Sequence, residues 1–236
     1  MTPEYLVLFD IDGTLLWPNG AGRAAMRTAL TRVYGVTGPI DKYYFAGRTD
    51  REIVRDLLTA AGLDEIAIWS RFAQLIDEMA YELRRRIAEG WHSIRPCPGG
   101  PELVKELAAC DDILLGLLTG NLRPTAHIKL EAAGYDPTLF RVGAYGDESV
   151  RRSDLPPLAV ERAAQLTGVQ FYGERIVIIG DTPADVTCGR EVGARSIAVL
   201  TGGHSRAELE ALQPHFLFED LTDPAAFLAA IRKPPR

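Results

Sequence analysis

Hydrophobic and polar positions along this chain follow two alternating periods. Tyr5–Phe9 is a continuous apolar run of strand length, and a run apolar at every position belongs in a sheet covered on both faces. From 22 to 34 the apolar positions recur at helical spacing until Gly35 and the Gly38-Pro39 pair stop them. No run between 40 and 92 reads as a strand. One helix is predicted over 50–61, with Asp50 as N-cap and Gly62 as stop. A longer one is predicted over 64–89, with Trp69, Phe72, Ile76, Met79, Leu83 and Ile87 on one stripe. Beyond the stiff Arg95-Pro96-Cys97-Pro98-Gly99-Gly100-Pro101 segment, strand and helix alternate. Strands are predicted at Ile113–Leu118, 141–145, 175–179, 196–200 and Phe216–Phe218, and helices over 123–133, 155–166, 184–192, 205–212 and 223–231. This alternation predicts an α/β fold with a doubly wound parallel sheet, and the strand-free block reads as a small all-helical domain. The Lys233-Pro234-Pro235-Arg236 tail reads as frayed.

Composition narrows the classes. A chain of 236 residues can form one large domain or a core with a smaller companion. A net charge of −6 gives no basic footprint for nucleic acid. No apolar run approaches the roughly 20 residues that span a bilayer, and the N-terminal run, preceded by Glu4, is too short for a signal sequence. Cys97, Cys110 and Cys188 lack C-x-x-C spacing and read as reduced thiols, so the expected location is cytoplasmic. The four histidines show no metal spacing. Gly20-Ala21-Gly22-Arg23-Ala24-Ala25 matches a dinucleotide fingerprint in form, but it does not follow a strand directly and reads as the flexible start of a helix.

The chemistry gathers at strand ends. Asp10 and Asp12 follow the first strand at i and i+2, so both lean beyond its end, and Gly13 permits a sharp turn. Taken alone, this reads equally as a turn with solvated aspartates. The second long strand ends in Thr119-Gly120-Asn121, by itself a common helix-capping loop and also able to hold phosphate oxygens. A third ends in Gly180-Asp181-Thr182-Pro183-Ala184-Asp185. In an open parallel sheet these ends share one edge, where ligands bind. Hard oxygen ligands there select Mg2+, which keeps open positions for water and a phosphoryl group.

With D-x-D-G-T at 10–14, a strand ending in Thr119 and G-D-x-x-x-D at 180–185, the chain resembles the haloacid dehalogenase superfamily of phosphohydrolases over nearly its whole length. The resemblance implies a Rossmann-like core at 1–16 and 93–236 and a mobile helical cap at 17–92. It implies that Asp10 is the nucleophile and that Asp12 is the acid and base, its backbone carbonyl also reaching the metal. Mg2+ would be held by Asp10 and Asp181 with support from Asp185. Thr119, Gly120 and Asn121 would hold the phosphoryl group. The family expects a lysine before a proline-led helix, where this chain has Arg151-Arg152-Ser153-Asp154-Leu155-Pro156. Arg152 is therefore expected to supply the cation, with Arg151 beside it, although both also read as a solvated loop. In the cap, Arg48 is expected either to meet a substrate anion or to pair with Asp50 or Asp41. Arg84-Arg85-Arg86 reads as a solvated helix face.

The expected function is a Mg2+-dependent phosphatase acting on small phosphate esters similar to phosphoglycolate, as a monomer or homodimer, with no nucleic-acid or membrane partner. A phosphomutase similar to beta-phosphoglucomutase and a non-catalytic phospholigand-binding protein are the alternatives.

Overall fold

The computed structural model describes residues 2–234, so Met1 and the Pro235-Arg236 end of the tail lie outside the described residues. The strands are β1 Tyr5–Phe9, β2 Leu16–Trp17, β3 Arg95–Pro96, β4 Ile113–Leu118, β5 Val142–Ala144, β6 Ile176–Gly180, β7 Arg195–Val199 and β8 Phe216–Phe218. The α-helices are α1 Ala21–Tyr34, α2 Asp50–Ala60, α3 Glu65–Ser70, α4 Phe72–Ala88, α5 Gly100–Ala108, α6 Arg123–Ala132, α7 Leu155–Thr167, α8 Pro183–Cys188, α9 Arg206–Glu210 and α10 Pro224–Ile231.

Six strands form one parallel sheet in the order β5-β4-β1-β6-β7-β8. The two-residue side-chain period of β1 sends Val7 and Phe9 to one face and Leu6 and Leu8 to the other. Val7 and Phe9 join Leu103 and Leu107 of α5, Leu130 of α6 and Phe227 of α10. Leu6 and Leu8 join Leu155, Ala159 and Ala163 of α7. Both faces of β1 are closed to water, which is why its apolar run has no polar interruption. The chain winds outward from β1 through β4 and β5, then returns to β6 and winds the other way. The strand order therefore reverses beside β1, and a crevice opens at the carboxyl ends of β4, β1 and β6. This is the doubly wound α/β architecture.

Between β2 and β3 the described residues contain helices and loops only. Their interior is a separate cluster that includes Met26 and Leu30 of α1, Val54 and Leu57 of α2, and Leu75 and Met79 of α4. Ala21, Ala25, Ala80 and Leu83 then rest on Ile128 of α6. The antiparallel pair of β2 and β3 ties together the two chain crossings into and out of this block. Two-residue strands with Pro96 in one of them carry no readable period, so the pattern misses this pair.

Two helices depart from expectation. The stretch 64–89 is two helices, broken at Arg71, whose backbone leaves the helical region at φ −116 and ψ 9. The Arg71 guanidinium donates instead to the carbonyl of Val33. Ile68 and Phe72, on either side of the break, both face the interior shared with α1 and α2. The stretch 184–192 stops as α-helix at Cys188, and Arg190–Val192 is a single 3-10 turn. Arg195, an apparently polar start to β7, is fully buried because its guanidinium takes the carbonyls of Ala230 and Ile231 at the end of α10.

Candidate active site

The crevice holds a cavity of about 280 Å³ lined by Asp10, Asp12, Thr119, Asn121, Lys129 and Arg152 from the sheet side. Phe45, Arg48, Ile53, Met79 and Leu83 line it from the helical block.

β1 carries Asp10 to its buried end, where its backbone N–H donates to the Ile179 carbonyl of β6. The chain then turns through Gly13 at φ 89, a left-handed value natural to glycine. A side chain at Gly13 would overlap the Asp181 carboxylate. That close approach brings the first and third acidic segments together. Thr14 Oγ1 secures it by donating to Asp181 Oδ1 at 2.8 Å. Asp185 is the third residue of α8, and its Oδ2 accepts from the backbone N–H and the hydroxyl of Thr182, at 3.0 and 2.6 Å. The helix cap thus fixes its carboxylate facing the strand ends.

One carboxylate oxygen from each of Asp10, Asp181 and Asp185 lies within 4.8 Å of the other two. All three residues are buried. Burial, together with the charges of Asp185 and Asp10, raises the Asp181 carboxyl well above the usual aspartate range. Burial likewise raises Asp185 to about 6, against the pull of Arg152. A trio of buried carboxylates held this way is short of positive charge and offers only hard oxygen donors. The residues therefore fit a divalent cation of the Mg2+ kind.

Arg152 lies beside this trio. It is buried, its Nη2 lies 3.2 Å from Asp10 Oδ1, and it also bonds Asp185 and, at 3.3 Å, the Leu118 carbonyl. Burial alone would pull its pKa down, but the carboxylates of Asp10 and Asp185 hold it above the ordinary arginine value. Its Nε is buried without a protein partner among the described residues. Arg151, its neighbour in sequence, points the other way: it is exposed, pairs with Asp154 at 3.0 Å and does not line the cavity. The one-turn helix at Arg152–Asp154 separates the two side chains by turning them to opposite sides.

Thr119 is fully buried at the end of β4. Gly120 is required by the helical block, because a Cβ there would run into the Arg48 carbonyl. Across this contact the Asp50 N–H donates to the Gly120 carbonyl at 2.7 Å, and Asp50 Oδ2 accepts from the Leu122 N–H at 2.9 Å. Burial raises the Asp50 carboxyl to about 6. Arg48 lines the cavity, yet its guanidinium is paired with Glu52 at 2.5 Å and lies 3.9 Å from Asp56, rather than pairing with Asp50 or Asp41. Arg85 and Arg86, expected to be solvated, converge on buried Glu82 of α4.

Lys129 is the residue that the sequence reading passes over. Its side chain is 3% exposed and its Nζ reaches Asp12 Oδ2 at 2.5 Å. The signal was present: Lys129 stands between Ile128 and Leu130 and three residues after Ala126, so it interrupts the buried side of α6. Lysine does not occupy such a position without a partner.

Clustered carboxylates, a buried arginine and a threonine thus gather at the ends of three neighbouring strands of a doubly wound sheet. Residues 151–224 match the HAD-hydrolase-like family model. The phosphoglycolate phosphatase of Synechococcus elongatus is 27% identical over 219 residues, covering 92% of this chain and 93% of that protein. Pyrophosphatase PpaX of Oceanobacillus iheyensis is 23% identical over the same shares. A hydrolase from Pseudomonas syringae superposes with a TM-score of 0.65 at 22% identity, covering 97% of this chain and 98% of that one. The chain is thus similar to haloacid dehalogenase-like hydrolases, in sequence over residues 151–224 and to the phosphatases above over most of its length. Among its described residues no helix is long and apolar enough to cross a membrane.

Proposed function

We propose that this chain is a Mg2+-dependent phosphatase of small phosphorylated metabolites, working through an aspartyl-phosphate on Asp10. The observation that carries this reading is the convergence of Asp10, Asp12, Thr119, Arg152, Asp181 and Asp185 on the carboxyl ends of three adjoining strands.

Each residue has work suited to its place. A carboxylate oxygen of Asp10 attacks phosphorus while the ester P–O bond breaks, and the departing alkoxide takes a proton from Asp12. Asp12, now a carboxylate, takes a proton from water. The water oxygen attacks the aspartyl-phosphate, releasing inorganic phosphate and restoring Asp10. Arg152 lines the cavity, holds its charge beside Asp10 throughout, and its guanidinium serves one phosphoryl oxygen. The Thr119 hydroxyl and the Gly120 N–H serve the other oxygens. Asp10 and Asp181, with Asp185 behind them and the Asp12 carbonyl, would hold Mg2+, which when bound offsets charge on the transferring phosphoryl group.

The helical block, residues 17–92, acts as a cap: its α2 end is stapled to the Thr119-Gly120-Asn121 loop by Asp50, closing the cavity. A cavity of about 280 Å³ suits a small ester, and the names of the two relatives bring phosphoglycolate and pyrophosphate into the substrate class. The enzyme acts in the cytoplasm as a monomer or homodimer.

The test is phosphate release from phosphoglycolate, pyrophosphate, sugar phosphates and nucleoside monophosphates, with Mg2+ and with EDTA. Mg2+-dependent release that is lost in Asp10→Asn is the expected result. Isomerisation of a sugar phosphate without release would show a mutase instead, and binding without turnover would leave a phospholigand-binding protein.

A further inference from the structure

Lys129 touches two catalytic neighbours at once. Its Nζ lies 2.5 Å from Asp12 Oδ2 and 2.5 Å from Asn121 Oδ1. An ammonium only donates, so it settles which way the Asn121 amide faces: Oδ1 toward Lys129 and Nδ2 toward Thr119. That Nδ2 donates to Thr119 Oγ1 at 2.9 Å, and the Asn121 backbone N–H approaches the same oxygen at 3.3 Å. With its oxygen accepting from Asn121, the Thr119 hydroxyl has its own hydrogen left to donate, and Thr119 lines the cavity. On the other side, Lys129 occupies Oδ2 of Asp12. Asp12 Oδ1 is buried and has no protein partner among the described residues.

The surroundings show that this charge is not there for packing. Ala126, Ile128 and Leu130 around Lys129 on α6 are buried apolar residues. An apolar side chain of similar length would avoid the cost of removing an ammonium from water, and a buried ion pair adds little stability over such a replacement. Gly22 of α1 leaves the space: a Cβ there would stand 3.2 Å from Lys129 Nζ.

Resting on the phosphatase reading above, we propose that Lys129 is a positioning residue that acts at both ends of the bond being broken. By holding Oδ2 it presents Oδ1 of Asp12 as the oxygen that carries the proton to the leaving group. Through Asn121 it turns the Thr119 hydroxyl into a donor for the phosphoryl group. This assigns a function to a lysine on the helix after Thr119, distinct from the cation that Arg152 supplies.

The experiment compares kcat/KM of the full chain with Mg2+ on two ester types. An alkyl phosphate needs its leaving alkoxide protonated, whereas p-nitrophenyl phosphate releases an anion that does not. For Lys129→Met we expect alkyl-ester kcat/KM to fall by about 100-fold or more and aryl-ester kcat/KM by less than about 10-fold, with Lys129→Arg recovering part of the alkyl activity. Equal losses on the two esters, or no loss, in a variant with wild-type circular dichroism would overturn the proposal. Asn121→Leu tests the other end. It should weaken competitive inhibition by inorganic phosphate by about 5–10-fold and keep the alkyl-to-aryl ratio. An unchanged inhibition constant would overturn the proposal even if Lys129→Met does not fold. A wild-type enzyme that releases phosphate from neither ester brings down the phosphatase reading and this proposal together, whereas an active wild type with insensitive variants brings down this proposal alone.

Discussion

Arg152 Nη2 stands 3.2 Å from Asp10 Oδ1 while the same guanidinium bonds Asp185, so one buried cation bridges the ends of β1 and the start of α8. Arg152→Ala leaves two buried carboxylates without their counter-charge and removes the donor proposed above for the phosphoryl group. A loss of about 10²–10³-fold in kcat/KM is expected. Arg152→Lys keeps the charge but loses the fork that reaches Asp10, Asp185 and the Leu118 carbonyl together, so it should fall between. Steady-state kinetics on one phosphate ester checks both; an alanine variant with wild-type kinetics would remove Arg152 from the mechanism.

The Gly120–Arg48 approach predicts a different kind of failure. In Gly120→Ala the new Cβ meets the Arg48 carbonyl, backbone against side chain, with no flexible group to yield. The α2 end must move off the Thr119-Gly120-Asn121 loop, breaking the hydrogen bonds of Asp50 across it. KM should rise by about 10-fold or more, with the melting temperature of the sheet core changed little. A variant with wild-type KM would show that this contact is unnecessary for binding.

Metal binding should stabilise the protein before any substrate is present. Mg2+ at 100 times its Kd adds about 2.7 kcal/mol, and for a chain of this size each kcal/mol raises Tm by about 2–4 °C. The Mg2+-minus-EDTA shift in a thermal melt should vanish in Asp181→Asn, because Asp181 supplies one of the three clustered oxygens. A shift that survives this substitution would place the ion elsewhere.

Glu82 gives a pH-dependent prediction away from the site. Its side chain is fully buried, and burial alone would raise its pKa. The Arg85 hydrogen bond and the charges of Arg85, Arg32 and Arg86 outweigh that and hold it below the ordinary value of 4.5. A carboxyl whose pKa is lowered in the folded state contributes its stability above the unfolded value, and loses it as pH falls through the folded one. Glu82→Gln should therefore cost about 1–3 kcal/mol at neutral pH, and the difference from wild type should shrink well below pH 4.5. Urea unfolding at both pH values measures it; a cost that does not change with pH would mean that the Glu82 charge is not the source.

Much of the fold was legible because burial on two faces and burial on one face leave different periods. The unbroken runs of β1, β4 and β6 announced a sheet covered on both sides, and Asp10, Asp12, Thr119, Asp181 and Asp185 followed from their places at those strand ends. The break at Arg71 was not legible, because Ile68 and Phe72 fit a single helical stripe as well as two. Nor was the β2–β3 pair, which is shorter than any period.

The sequence by itself determined the α/β class and the strand ends at which the carboxylates gather, since local spacing dictates which side chains share a face. Only the tertiary structure decided among the cations. Arg151 and Arg152 are adjacent in the chain and equal in chemistry, but one turn of backbone sends Arg152 into the carboxylates and Arg151 into solvent. Lys129 lies 117 residues from Asp12 and meets it only because α6 packs beside the β1 end. A charge on a buried helix face gains its partner from the fold, and no spacing along the chain encodes that distance.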